Sequence, residues 1–298
     1  MDVSMEWYRV FYWTAKTGSL SRAAQHLHIS QPAVSHTLKQ LEEELGGALF
    51  FRTARGVKLT AAGEALLPYV TQAINFLALG EKTIAEQHQL QHGEIHIGAS
   101  DTLCKHYLLP YLKEYHAQHP DIRIHITNRT TPETLRLLQE GAIDFGIVSL
   151  SAADTAPRGI QLRGSVPIQD CLVAGTRFRH LAAEPLSPEQ LLQWPLLTLE
   201  SGSGTRRYID RYADDNGIAL SPEFELGSID LLLQFAQSGF GLAFVIRDFV
   251  QDELESGMLV EIPLKAPIPP RHIGIALNDG VPLSAASQAF LALLALLP

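Results

Sequence analysis

The sequence predicts an α/β protein in which a small helical N-terminal part precedes a larger part of alternating strands and helices. The length of 298 residues suggests about two domains. Two short helices with clear capping residues are predicted before residue 47, and strand and helix patterns alternate from residue 93 onward. With 46% hydrophobic and 18% charged residues, both parts can form ordinary hydrophobic cores.

Charge is distributed unevenly along the chain. Residues 1–88 contain eight Lys or Arg and eight Asp or Glu, whereas residues 89–298 contain 15 and 24. The whole net charge of −9 therefore belongs to the larger part, which should repel nucleic acid. The neutral N-terminal part can still bind nucleic acid if its cations share one face.

Several protein classes lack their sequence signals here. Cys104 and Cys171 form neither a disulfide framework nor a zinc pattern, which favours a reducing cytoplasm and leaves open whether either thiol is redox-active. The start of the sequence lacks the features of a signal peptide, and no apolar run reaches the ~18 residues of a membrane span. We therefore expect a cytoplasmic protein with no membrane partner.

Enzyme and metal motifs are also missing. The sequence contains no G-x-S-x-G, P-loop or H-E-x-x-H motif. The histidines of "HLH" (26–28) and "HAQH" (116–119) have no Cys or carboxylate partners at ligand spacing. We expect no enzyme activity, no metal and no cofactor.

The second predicted helix has clear start and stop signals. Ser30 is a good N-cap, Pro32 is tolerated in the first turn, and Gly46 and Gly47 end the helix. Its apolar residues fall on one stripe: Val34, Leu38, Leu41 and Leu45. The opposite, polar face therefore has no role in a core.

A shorter helix precedes it across the tight turn "HLHIS". Ser19 caps this helix, and Ala23 and Ala24 allow a second helix to approach closely. The pair predicts a helix-turn-helix, whose second helix enters the DNA major groove with its N-terminus first. The following "LFFRTARGVKLT" predicts a strand, a turn and a strand, with basic residues placed to touch phosphates.

We therefore predict binding to double-stranded DNA. A solvated helix face is the alternative, but the cap, the alanine-rich helix and the basic wing agree with one another. The predicted DNA-binding residues are Ser30, Gln31, Pro32, Ser35, His36, Lys39, Arg52, Arg55 and Lys58.

These residues resemble the winged helix-turn-helix of LysR-type transcriptional regulators. The resemblance covers nearly all of residues 5–64. It rests on Phe11, Gly18, Ser19, Ala23, Ala24, Leu27, the run Ser30–Ser35, the run Leu41–Gly46, Leu49, Phe50, Arg52, Gly56, Leu59, Thr60 and Gly63. Position 36 departs from the pattern, since it is His where the family often has Arg.

A long helix is predicted from a cap at Thr60 to about residue 89, with a bend at Pro68. Leu67 and Ile74, seven residues apart, could line a seam with a second helix, or could pack against their own chain. The resemblance implies dimerisation through this helix. It also implies that the dimer pairs two recognition helices about one DNA turn apart.

The remaining residues predict strands connected by crossover helices, as in a parallel sheet. The predicted domains are a DNA-binding domain (1–59), a linker and dimerisation helix (60–89) and an effector-binding domain (90–298). The last divides into subdomain I (90–163 plus 266–298) and subdomain II (164–265), and the resemblance implies a similarity to periplasmic binding proteins.

Strand-to-helix junctions in this domain are rich in hydroxyl groups and small residues. Helix capping is the ordinary explanation for any one junction. Ligands, however, bind at the carboxyl ends of strands in open sheets, where helix N-termini supply N–H donors. We therefore predict a site for a small polar or anionic effector at Ser100, Asp101, Thr102, Thr130, Thr131, Ser149, Thr198, Ser201, Ser203, Gly204 and Thr205.

Together, the residues and the resemblance imply a sequence-specific transcriptional regulator whose activity a small metabolite modulates. The implied partners are double-stranded DNA, the effector, RNA polymerase, and further copies of the chain in a homodimer or homotetramer. A solute receptor would explain the larger part, but it needs a signal peptide and has no use for a winged helix.

Overall fold

The computed structural model describes residues 3–53, 56–88, 93–151 and 154–294. The chain divides into two compact units, Met1–Ala85 and Glu86–Pro298. Across the described residues, no helix combines the length and the hydrophobicity needed to cross a membrane.

The first unit contains three helices, a two-stranded antiparallel wing and a long helix. Their bounds are α1 Met5–Thr17, α2 Leu20–Leu27, α3 Gln31–Leu45, β1 Phe50–Thr53, β2 Gly56–Leu59 and α4 Ala61–His88. Val34, Leu38 and Leu41 are buried against α1 and α2, as the apolar stripe predicts. Leu45 is 44% exposed instead, because α3 has by then passed the end of the small core.

Helix α4 follows the predicted linker closely. Thr60 Oγ1 accepts a hydrogen bond from the N–H of Gly63 at 3.1 Å, and the helix continues through Pro68. Leu67 and Ile74 pack against the core of the first unit. Of the two possibilities that the sequence left open, a seam with a second helix or packing against their own chain, this is the second. The exposed apolar side chains of α4 include Tyr69 and Leu77.

The second unit contains two five-stranded sheets, which match the two predicted subdomains. The first sheet has the order β4-β3-β5-β12-β6 and the second has the order β11-β7-β10-β8-β9. The strands are β3 Glu94–Ala99, β4 Arg123–Asn128, β5 Phe145–Leu150, β6 Ile160–Ile168, β7 Asp170–Gly175, β8 Leu196–Leu199, β9 Phe224–Leu226, β10 Leu242–Ile246, β11 Leu259–Ile262 and β12 Arg271–Asn278.

Both sheets are mixed, whereas the alternation of strands and helices predicted parallel pairing. In the first sheet β3, β4 and β5 are parallel, but β12 runs antiparallel to β5 and β6. The reason is that β12 returns from the second sheet and enters the first from the opposite end. Strand β6 pairs with β12 as far as Ile168, so the first sheet extends beyond the boundary at residue 163 that the sequence suggested.

Helices cover the faces of both sheets and enclose hydrophobic cores. They are α5 Asp101–Leu103, α6 Leu109–Gln118, α7 Thr131–Gln139, α8 Pro188–Leu191, α9 Gly204–Asp215, α10 Ile229–Gln237, α11 Gln251–Glu255 and α12 Ala285–Leu293. A π-helical turn, Cys104–Leu108, joins α5 to α6. The N-termini of α5, α7 and α9 follow the carboxyl ends of β3, β4 and β8. The predicted effector residues therefore lie at the carboxyl ends of the strands in each sheet.

Candidate DNA interface and effector clefts

The polar face of α3 is exposed at its N-terminal turns, as contact with DNA requires. Ser30 Oγ accepts a hydrogen bond from the N–H of Ala33 at 3.3 Å and caps the helix. The exposed predicted residues of this helix are Gln31, Pro32, His36 and Lys39. Lys39 forms a surface ion pair with Glu43 at 3.4 Å. Because such pairs contribute at most about 1 kcal/mol, a phosphate can replace it.

Side-chain hydrogen bonds and a close backbone contact hold the wing beside the helices. Glu42 Oε1 accepts hydrogen bonds from the N–H groups of Leu49 at 2.7 Å and Phe50 at 3.2 Å. At the turn, Gly56 has a φ of 134°, and a Cβ there would lie 2.3 Å from the carbonyl oxygen of Gly18. Only glycine therefore permits this position of the wing.

Arg52 connects the wing to the recognition helix. Its Nη2 donates a hydrogen bond to Ser35 Oγ at 3.0 Å, which holds the guanidinium beside the hydroxyl on α3. Lys58 is exposed on the second strand of the wing. Arg55, which the sequence also predicts to contact DNA, lies outside the described residues.

The predicted effector residues divide between two adjacent clefts of the second unit. The first cleft has a volume of about 760 Å³ and the second a volume of about 550 Å³. The first is lined by Ser100, Asp101, Thr102, Thr130, Ser201, Ser203 and Gly204, and the second by Thr131, Ser149 and Gly204. Gly204 and Arg207 line both, so the two clefts share a wall at the N-terminus of α9.

Helix capping occupies several hydroxyl groups of the first cleft. Ser203 Oγ accepts from the N–H of Arg206 at 3.1 Å, and Ser100 Oγ accepts from the N–H of Leu103 at 3.5 Å. Thr130 Oγ1 donates to Glu133 Oε2 at 2.8 Å within a capping box. This hydrogen bond holds the pKa of the Glu133 carboxyl below its usual value. The hydroxyls therefore order three helix N-termini at the cleft.

The two clefts differ in charge. The first contains the carboxylates Asp101, Glu133 and Glu200 and the cations Arg129 and Arg207. The second contains four cations and one carboxylate: Arg136, Arg207, Arg211, Arg271 and Asp154. Burial raises the pKa of Asp154, but hydrogen bonds from Ser151 and the proximity of Arg211 outweigh it and leave the pKa lowered. The second cleft is therefore the basic one.

Arg271 is buried behind the second cleft and bonds to both sheets. Its Nε and Nη2 donate to the two carboxylate oxygens of Asp170 at 2.6 and 2.8 Å. Its Nη1 donates to Ser149 Oγ at 2.8 Å and its Nη2 to Thr205 Oγ1 at 3.1 Å. Burial raises the pKa of the Asp170 carboxyl, and the attraction of Arg271 offsets part of that rise.

Two of the predicted hydroxyls hold arginines instead of lining a cleft. Thr205 accepts from Arg271, as above, and the buried Thr198 Oγ1 accepts from Arg206 Nη1 at 3.1 Å. Sequence reasoning missed Arg271 and Asp170. A signal was present, because each charged residue stands at the first position of a mostly apolar strand.

Comparison with known proteins identifies the family. Residues 5–64 match the bacterial regulatory helix-turn-helix protein of the lysR family, and residues 88–296 match the LysR substrate binding domain. The chain is a LysR-type transcriptional regulator. Its relatives include a probable RuBisCO transcriptional regulator of Synechocystis sp., 29% identical over 291 residues, which cover 97% of this chain and 84% of the relative. The RuBisCO operon transcriptional regulator of Allochromatium vinosum is 29% identical over 295 residues, which cover 97% and 95% of the two chains.

Solved structures share the fold of this LysR-type regulator. A full-length OxyR variant from Pseudomonas aeruginosa superposes with a TM-score of 0.66 at 21% identity, covering 99% of this chain and 94% of the other. Full-length CbnR in complex with its target DNA superposes with a TM-score of 0.64 at 17% identity, covering 98% and 99%. The predicted architecture, a winged helix-turn-helix followed by a two-subdomain α/β domain, is confirmed.

Membership in the family confirms the predicted class of function. The LysR-type regulator binds DNA and regulates transcription in response to a small effector, and it is not an enzyme.

The two thiols of this LysR-type regulator belong to different hydrophobic cores. Cys104 packs against the core of the first sheet, and Cys171 is buried in a core of the second. Burial raises the pKa of both thiols, that of Cys171 to about 12. Since the thiolate is the reactive form, the raised pKa values favour the less reactive thiol in both cysteines.

Proposed function

We propose that this LysR-type regulator reads a specific sequence of double-stranded DNA through the first turns of α3. The observation that carries the proposal is the exposed row of Gln31, His36 and Lys39, with Ser35 bonded to Arg52 of the wing. Gln31 suits hydrogen bonds to a base edge, whereas Arg52 and Lys58 suit phosphates. The base contacts would set the preference among sequences, and the wing would add affinity for any DNA.

The substitution Gln31→Ala is expected to reduce sequence preference. A good base contact contributes about 1–3 kcal/mol of discrimination, so the ratio of affinities for selected and scrambled DNA should fall about 5- to 150-fold. The measurement is binding of the full-length chain to a sequence selected from a random library. Lys58→Ala should instead weaken both DNAs alike and reduce the slope of log affinity against log salt by about 1.

Gln118→Ala provides the matched control, because Gln118 is an exposed glutamine of the second unit. It should leave both affinities unchanged. Equal ratios for Gln31→Ala and the wild type would contradict the assignment of α3 to base contacts.

We further propose that the effector carries an anionic group and a polar body. The support is the shared wall of the two clefts, where the N-termini of α7 and α9 meet: a Cβ on Gly204 would lie 3.8 Å from Thr131 Oγ1. Both helix N-termini favour negative charge, and Arg207 and Arg211 add full positive charges beside them. The anionic group would face the second cleft and the polar body the hydroxyls of the first.

Thermal shift assays test this proposal with inorganic phosphate, carboxylates, sugar phosphates and neutral polyols. An anionic compound should stabilise the wild type, and Arg207→Gln should weaken its binding about 10- to 150-fold, because a hydrogen bond to a charged group contributes about 1.5–3 kcal/mol. Ser100→Ala and Thr102→Val should weaken it less. The ligand-induced shift is the quantity to compare, because Ser100→Ala also removes a helix cap.

Arg247→Gln is the matched control, since Arg247 is exposed and paired with Glu261 outside both clefts. Stabilisation by neutral apolar compounds alone, or equal ligand shifts in Arg207→Gln and Arg247→Gln, would contradict an anionic effector here.

We also propose that the oligomer is a homodimer or a homotetramer, whose chains contact one another through α4. Tyr69, Ala73 and Leu77 follow one another at intervals of four, so they form an exposed apolar stripe on this helix. One relative is named the transcriptional activator CmpR, which supports RNA polymerase as a partner. A DNA-bound role in transcription supports a cytoplasmic location.

A further inference from the structure

Three side chains that can ligate a metal ion lie together at the amino ends of two strands, opposite the strand ends that precede the clefts. Glu94 and His96 belong to β3, and His125 belongs to the edge strand β4. The parallel register pairs His96 with His125 and Glu94 with Arg123. Since alternate residues of a strand share a face, all four side chains lie on the same face of the sheet.

The distances between the potential ligand atoms suit one ion. Glu94 Oε2 lies 3.6 Å from His96 Nε2 and 3.8 Å from His125 Nε2. A tetrahedral zinc ion with bonds of about 2.0–2.2 Å separates its ligands by roughly 3.3–3.6 Å. The two imidazole rings are stacked, with their centroids 4.6 Å apart and their planes 8° from parallel. The ligand atoms of all three side chains lie within 4.8 Å of one another, and rotation of the two rings out of the stack would direct both Nε2 lone pairs at one ion.

The ligand types select the class of ion. Two imidazoles and one carboxylate suit zinc and neighbouring transition metals, whereas calcium and magnesium require oxygen ligands. The side chains of Glu94, His96 and His125 are 40%, 35% and 49% exposed, so water has access to complete the coordination.

Among the residues that the structure describes, Arg123 is the arginine or lysine that forms an ion pair with the Glu94, His96 and His125 group. Its Nη1 lies 3.4 Å from Glu94 Oε1, whereas both histidines approach the other oxygen, Oε2. The Arg123 side chain is 78% exposed and can move away from a bound cation. If it stays, its contact with Oε1 orients the carboxylate, as outer-shell groups do in metal sites.

We propose that Glu94, His96 and His125 bind one divalent transition-metal ion of the zinc class. The ligands come together only when β3 and β4 are paired, so the bound ion stabilises the first sheet at its edge. This site is separate from both effector clefts, whose residues follow the carboxyl ends of the same strands.

Zinc titration of the tag-free, chelator-treated full-length chain tests the proposal. Calorimetry should show one equivalent that is lost or weakened at least about tenfold in His96→Gln and His125→Gln, because even the loss of an outer-shell partner weakens metal sites about 10- to 100-fold. His116→Gln, an exposed histidine of α6, should bind like the wild type. Cobalt substitution should give visible absorption bands that require His96 and His125.

Histidine ring signals in NMR spectra provide a second measurement on the wild type. Among the twelve histidines of the chain, zinc should shift those of His96 and His125 at the first equivalent. Circular dichroism checks that each variant is folded. Equal zinc affinity and stoichiometry in His125→Gln and His116→Gln, or first-equivalent shifts at other histidines, would overturn the proposal.

Discussion

Arg271→Met is expected to lower the free energy of unfolding of the second unit by about 3–5 kcal/mol. The side chains of Arg271 and Asp170 are 2% and 0% exposed, and the ion pair has two hydrogen bonds. Methionine keeps much of the packing but removes every donor. The Asp170 carboxylate would then be buried without its partner, which is the source of the large loss.

Chemical denaturation measures this change, and two variants sharpen it. Adding Asp170→Val to Arg271→Met should recover part of the lost stability, because replacing both partners removes the unpaired charge. Glu261→Gln breaks the exposed Arg247–Glu261 pair, whose side chains are 58% and 38% exposed, and should cost less than about 1 kcal/mol. A double variant less stable than Arg271→Met would contradict the account based on an unpaired charge.

The same substitution has a functional consequence. Arg271 donates to Ser149 at the end of the first sheet and to Thr205 on α9 of the second subdomain. These hydrogen bonds therefore fix the first sheet and α9 relative to each other at the second cleft. An effector can act on DNA only if it favours one arrangement of the protein over another. We expect Arg271→Met to weaken the response to the effector more than Glu261→Gln does.

Leu77→Asp is expected to break the contact through which the α4 helices of two chains associate. Leu77 is 56% exposed and Tyr69 is 73% exposed on the described helix. In a symmetric dimer each substitution appears twice. Lost apolar burial of about 1.5–3 kcal/mol and an unpaired polar group of about 1–3 kcal/mol per copy would together weaken association by roughly 5–12 kcal/mol.

Sedimentation of the full-length chain measures this effect. Two further leucine variants distinguish loss of the α4 contact from the general effect of a surface charge and from unfolding. Leu192→Asp, at a leucine 44% exposed in the second unit, should leave the assembly unchanged. Leu67→Asp should unfold the first unit, because Leu67 packs against its core, and circular dichroism would record the loss of helix. An unchanged oligomer of folded Leu77→Asp would show that the stripe of α4 is not the main interface.

The helices of the first unit were predictable because their signals are local. Ser19, Ser30 and Thr60 cap the helices that the sequence indicates, and Gly46 ends α3 in the left-handed region with a φ of 74°. The stripe of Val34, Leu38 and Leu41 identifies the buried face. Caps and helical periodicity involve residues fewer than ten positions apart, so a single sequence contains them completely.

The effector clefts were predictable only in part. The sequence places hydroxyls after β3, β4 and β8, and the first cleft brings many of them together. Their division between two clefts of different charge depends on which side chains of the second sheet face the first. The sequence suggests that Arg206 or Arg207 adds charge to an anion site, and packing places Arg207, together with Arg211, at the basic cleft.

The sequence by itself determined the winged helix-turn-helix, the long linker helix, the α/β class of the larger part and the family. Tertiary structure alone decided the direction of β12, the packing of Leu67 against its own unit, the Arg271–Asp170 pair and the group of Glu94, His96 and His125. These features join residues from separate elements, and Arg271 and Asp170 are 101 positions apart. Such contacts follow from strand order and register, which long-range packing sets and local patterns do not encode.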